Sequence, residues 1–207
     1  MPLKDCDQPP ELSIPPTFWY RSLAAAGLYC PEVHGPARYW LTVEGSFTRA
    51  LQQKCQERFH VEILREGFSP PTPEEAKRLN LAPRQLAWVR EVRLCGDGRP
   101  WVLARTVIPQ NCLHGHGRRL RNLGNKPLGA YLFSSPEWQR GPLETGLCKV
   151  RSNSHPRLAR RSLFHRGSSA LLVGGLVTIA LPWVTPGPAV WTLLAGLTIA
   201  SATADIA

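Results

Sequence analysis

The 207-residue chain lacks the marks of several large functional classes. No two of its six cysteines (Cys6, Cys30, Cys55, Cys95, Cys112 and Cys148) stand closer than 17 positions, so the paired spacing of a zinc site is missing. They read as ordinary thiols of a reducing compartment. No glycine-rich phosphate loop or dinucleotide fingerprint occurs, which leaves no basis for a nucleotide cofactor. The N-terminus, MPLKDCDQPPELSIPP, has acids and prolines where a secretory signal needs a basic start and an apolar core, so a cytoplasmic protein is expected. Acids are scarce, 15 Asp plus Glu against 25 Lys plus Arg, and none lies between Glu144 and Asp205. No internal repeat is visible.

Proline is abundant. Twenty prolines argue against long uninterrupted helices, hence against coiled coils and helical solenoids, and favour a mixed or β-rich fold with many turns. The net charge of +10 predicts attraction to something anionic. Its densest stretch, Lys149 to Arg166 (KVRSNSHPRLARRSLFHR), has no accompanying aromatic-glycine motif, and it reads as a solvated basic face rather than a nucleic-acid site.

The residues organise into one domain, 17–182, between a polar proline-rich leader, 1–16, and an apolar C-terminal extension, 183–207. In GSFTRALQQKCQERF, Ser46 or Thr48 can cap a short helix that sets Phe47, Leu51 and Cys55 on one face. Phe59 to Phe68 alternates as a strand. Thr72-Pro73-Glu74-Glu75 has the hydroxyl, proline and acids of a helix start. Trp88 to Cys95 and Trp101 to Pro109, joined by Gly96-Asp97-Gly98, form an expected β-hairpin. A short helix is expected from Pro127, and a late strand pair from Leu158 to Phe164 and Ala170 to Ile179.

Two arginines in the hairpin stand out. Side chains alternate along a strand, so Arg90 shares a row with Trp88, Val92 and Leu94, and Arg105 one with Trp101, Leu103 and Val107. A guanidinium among apolar neighbours needs a carboxylate or several carbonyls. The partner is either internal, with Glu62, Glu66 and Glu144 as candidates, or a ligand such as a small dicarboxylate or an aromatic acid. His114-Gly115-His116 has no carboxylate or thiol spacing to complete a metal site, and Ser134, Ser135 and Cys148 lack a spaced base, so neither a metal nor a covalent nucleophile is expected.

Five segments, LTVEGSFTRAL (41–51), LREGF (64–68), WVREVRLCGDGRPWVLARTVIP (88–109), LGNKPLGAYLF (123–133) and RGPLE (140–144), resemble the chorismate pyruvate-lyase family in order and spacing, over about two-thirds of the chain. The resemblance implies an α+β fold, an antiparallel sheet of about six strands with flanking helices and flap-like loops over an internal pocket. It also implies cofactor-independent elimination of pyruvate from chorismate to give 4-hydroxybenzoate for ubiquinone. In the family the arginine of the WVREV strand holds the ring carboxylate, which maps to Arg90. Backbone groups of the GSFT and KPLG turns complete the site, at Phe47 and Leu128. Arg105 is added as a candidate for the second carboxylate or for closing a flap.

Family members also carry a glutamate in the last strand, in text like LLLTE, against the ring hydroxyl. Here Leu171 to Leu176 reads LLVGGL and puts Gly175 at that position. The tail beyond it has two apolar runs broken by Thr185-Pro186-Gly187-Pro188, each shorter than the roughly 20 residues that cross a bilayer. It reads either as a membrane-resting hairpin giving weak contact or as a packed or poorly folded extension after the last strand, for which an altered reading frame is one origin. A monomer acting on chorismate, without nucleic acid, is the leading expectation. The rival is a catalytically impaired relative that binds aromatic acids, since the family's fold resembles the effector-binding domains of some transcription regulators.

Overall fold

The computed structural model describes residues 17–35, 37–148 and 158–177. The expected leader, and the extension from 183 on, lie outside these, as do the last two residues expected of the final strand. The chain forms β1 (Thr17–Tyr20), α1 (Leu23–Gly27), α2 (Ala37–Thr42), α3 (Phe47–Lys54), β2 (Phe59–Ser69), α4 (Pro73–Arg78), β3 (Ala87–Gly96), β4 (Arg99–Pro109), α5 (Leu128–Ser134), β5 (Gln139–Arg140), β6 (Glu144–Cys148), β7 (Leu158–Arg166) and β8 (Ser169–Val177). Short 3-10 turns fill Pro31–His34, Gln110–Leu113 and Gly115–Asn122.

The eight strands make one antiparallel sheet in the order β1-β6-β7-β8-β4-β3-β2, with β5 also paired to β7. The α+β class stands. Eight strands exceed the about six that the resemblance implies; β1, β5 and β6, absent from the five strands read along the sequence, have only four, two and five residues, too few to show a periodic pattern.

Local chemistry explains the expected elements. Ser46 caps α3, accepting from the Arg49 N–H, and Thr72 and Glu75 form a reciprocal capping box on α4. At the hairpin tip Asp97 and Gly98 both have positive φ, 51° and 73°, as a two-residue turn of the primed type requires. The Asp97 carboxylate accepts N–H bonds from Gln56 and Glu57 and lies 3.1 Å from the Cys55 Sγ, tying the end of α3 to the hairpin tip.

The hairpin carries one irregularity with a large consequence. Near the turn Gly96 pairs with Arg99 and Cys95 with Pro100, but beyond a bulge Leu94 pairs with Val102, which leaves Trp101 as the extra residue. Without the bulge, Arg90 and Arg105 would face each other across the ladder. With it, Arg90 pairs with Thr106 and Glu91 with Arg105. A one-residue shift moves a whole row to the opposite sheet face.

Both faces are covered. On the first, α3 and α5 close over two apolar clusters, one built on Trp40, Leu51, Val92 and Trp101, the other on Ile108, Leu120, Leu132 and Phe164. On the second, α4 lies over Arg105 and Arg161 and reaches them with Glu75 and Glu74. The first face, where the two clusters meet, contains the cavity described next.

Candidate active site

A cavity of about 100 Å³ opens on the first face, lined by Phe47, Arg90, Leu128, Arg140, Arg160 and Gly175 among others. Four of these come from four separate segments singled out by the sequence. Phe47 and Leu128 are the first residues of α3 and α5, where backbone N–H groups have no intrahelical acceptor. The two helix starts approach so closely that a Cβ on Gly129 would stand 3.1 Å from Ser46 Oγ. A larger side chain there would press on the Ser46 and Thr48 hydroxyls, which would have to give by a few tenths of an ångström.

Arg90 is 2% exposed. Its guanidinium donates to Glu66 Oε1 at 2.7 Å and to the Gly124 and Lys126 carbonyls at 2.7 and 3.4 Å. The internal carboxylate allowed for by the sequence is therefore Glu66. The bonds to Gly124 and Lys126 also fix the loop that leads into Leu128, so one side chain both lines the cavity and positions its second wall.

Arg105 belongs elsewhere. The bulge puts it on the opposite face, bound to Glu75 at 2.8 and 3.0 Å and to Glu91. Arg105, expected to take a second carboxylate or to close a flap, is thus not among the residues lining the cavity with Arg90. Truncating a buried ion pair on one side leaves the partner charges uncompensated. Arg105→Ala is therefore expected to cost about 3 kcal/mol of stability in urea unfolding. Catalysis per folded molecule should stay unchanged, and a selective loss of activity would restore Arg105 to the site.

The basic stretch at β7 also departs from expectation. Arg160 and Arg161 are 6% and 4% exposed, not solvated. Arg161 points to the second face, where it donates to Glu144 and Glu74 and lies 4.1 Å over the Trp19 ring. Arg160 points to the first face, donating to the Trp40 and Val43 carbonyls and stacking 4.9 Å over Phe47. Both were legible in principle, because Leu158, Ala159, Leu163 and Phe164 flank them. Alternation then sends one arginine each way.

Glu144, shared by Arg78 and Arg161, ties α4 and β7 to β6. Burial alone would raise its pKa, but hydrogen bonds and charge from the two arginines outweigh this and hold it below the ordinary 4.5. A carboxyl depressed in the folded state contributes stability above its unfolded pKa and loses it as pH falls through the folded one. Stability should thus decline on acidification below pH 4.5, and less steeply in Glu144→Gln. Identical urea-midpoint profiles would remove Glu144 as a cause.

Gly175 lies between Ala104 of β4 and Arg160 of β7 in the ladder. It brings no carboxylate to the cavity. Among the described residues no cluster of His, Cys, Asp or Glu could hold a metal, and no helix is long and apolar enough to cross a membrane.

A family model described as chorismate lyase matches residues 31–183. The chain belongs to the chorismate lyase family. It is 97% identical over 174 residues to the probable chorismate pyruvate-lyase of Marinobacter nauticus, covering 84% of this chain and 93% of that one. It is 36% identical over 156 residues to the chorismate pyruvate-lyase of Pectobacterium atrosepticum, covering 75% and 84%. Among solved structures, the effector domain of PhnF from Mycobacterium smegmatis aligns with a TM-score of 0.46 and 16% identity, over 66% of this chain and 90% of that chain. In this chorismate lyase-family chain, Phe47, Arg90, Leu128 and Gly175 meet at one cavity, whereas Arg105 does not.

Proposed function

We propose that this chain is a lyase that splits chorismate into 4-hydroxybenzoate and pyruvate, a supply reaction for ubiquinone, without a cofactor. The convergence of Phe47, Arg90, Leu128 and the final strand on one cavity carries the reading. In the reaction the ether C–O bond breaks, the ring loses a proton and becomes aromatic, and the departing enolpyruvate takes up a proton to give pyruvate. Aromatisation supplies a large driving force, so the protein's task is to orient and desolvate. Arg90 holds the ring carboxylate, the N–H groups of Phe47 and Leu128 add donors, and the walls from Val61, Val92, Leu132 and Val173 exclude water.

The test is incubation of the purified chain with chorismate, following both products against the spontaneous background. Equimolar 4-hydroxybenzoate and pyruvate above background establish the lyase. Background-level formation by folded protein refutes it, and tight binding of 4-hydroxybenzoate in that case would identify an aromatic-acid binder.

A further inference from the structure

The buried arginines Arg90, Arg160 and Arg161 and the half-buried Arg105 are not alike. Arg90 is paired with Glu66, Arg105 with Glu75 and Glu91, and Arg161 with Glu74 and Glu144. Arg160 has no carboxylate partner among the described residues. It is 6% exposed, and its bonds go to two neutral carbonyls, Trp40 O at 2.8 Å and Val43 O at 3.0 Å. Burial, with repulsion from nearby Arg140, pushes its pKa down to about 10, so the charge persists at neutral pH.

One function for this side chain is structural, since Trp40 and Val43 lie at the end of α2, where carbonyls lack helical donors. That function uses two of the five N–H groups of a guanidinium. The rest have no hydrogen-bond partner among the described residues, at a residue that lines the same cavity as Arg90. Arg140, also on the cavity wall, donates to the Gly45 carbonyl and adds a second cation there, partly offset by the nearby Glu44 carboxylate, so one net positive charge remains with Arg160. The charge balance therefore differs between the two ends. Glu66 neutralises Arg90, whereas the Arg160 end keeps a surplus of positive charge in a desolvated setting, where its attraction for an anion is little screened.

We propose that Arg160, with Arg140 beside it, forms a second anion subsite, taking the enolpyruvyl carboxylate of a dicarboxylate whose ring carboxylate is held at Arg90. The inference rests on the reading of the cavity as a chorismate site. The sheet order gives the span. β7 and β3 are separated by β8 and β4, three inter-strand steps that put their backbones roughly 14 Å apart. Arg160 is level with Gly175, Ala104 and Val92, two residues along β3 from Arg90, and both arginines line the one cavity across which a dicarboxylate would lie.

The experiment measures binding of two probes to the full chain, chorismate with two carboxylates, followed by stopped flow before turnover, and 4-hydroxybenzoate with one. Arg160→Met is expected to weaken chorismate binding at least about tenfold, the scale of a lost charge-assisted hydrogen bond, and to leave 4-hydroxybenzoate nearly unchanged. Arg160→Lys should recover part of the loss. Arg140→Met leaves the α2 carbonyl bonds in place and should show the same selectivity on a smaller scale, which keeps the test alive if Arg160→Met unfolds. Equal losses for both probes, or none, overturn the subsite while leaving the lyase reading intact. A wild-type chain that binds neither probe overturns both.

Discussion

Gly175→Glu is expected to raise turnover of chorismate on the order of 10²-fold, the lower range for a positioned general acid or base, while raising KM severalfold. The backbone admits the change, because Gly175 sits in an extended strand and is not among the positive-φ positions. Space is nearly sufficient. A Cβ there would meet Val102 Cγ1 at 3.3 Å, so the valine must yield by a few tenths of an ångström. The new carboxylate would enter the cavity opposite Arg160, its direct ladder partner, and directly paired residues hold their Cβ atoms about 5 Å apart. It would then supply the contact to the ring hydroxyl end that the family resemblance implies for this position. It would also neutralise part of the Arg160 charge, which weakens attraction for a second substrate carboxylate. The two effects separate in steady-state kinetics, kcat rising and KM rising with it. A variant that folds, pairs with Arg160 and gains no turnover would show that the missing acid is not what limits this chain.

The sequence and the fold agree where chemistry is local. The cap at Ser46, the capping box at Thr72 and Glu75, the Asp97-Gly98 turn and the late strand pair are all fixed by residues within a few positions of one another. So is the row that holds Arg90. What was not legible depends on register. An ideal two-residue hairpin sets Arg90 against Arg105, and only the bulge at Trp101 sends Arg105 to the far face, where α4 meets it with Glu75. Nothing in the hairpin text announces that bulge, although Gly96 gives a trace of it. A Cβ on Gly96 would lie 2.3 Å from the Trp101 ring, so the glycine makes room for the extra tryptophan. Arg160 was hidden for a different reason. A run of basic residues resembles a solvated face, and the apolar flank Leu158, Ala159, Leu163 and Phe164 that argues against this gains its weight from the interior place of β7 between β6 and β8.

The second large effect concerns Arg90 and its carboxylate. Arg90→Ala would leave Glu66 and the Gly124 carbonyl without their partner in the interior, costing roughly 3–5 kcal/mol, and would release the loop that positions Leu128. Activity would fall, but the loss would mix binding with folding. Arg90→Lys keeps a charge and gives up the fork, so kcat/KM is expected to drop about 10²-fold with a smaller loss of stability. Glu66→Gln separates the two functions most sharply. It weakens the ion pair, at roughly 1–3 kcal/mol of stability, yet leaves Arg90 with uncompensated charge toward the cavity. Binding of 4-hydroxybenzoate should therefore tighten severalfold while the thermal midpoint falls. A purely structural Arg90 predicts lower stability and no tightening, because its charge would face Glu66 alone. Affinity and stability moving in opposite directions in Glu66→Gln would make Arg90 a ligand clamp held in check by its own protein's carboxylate.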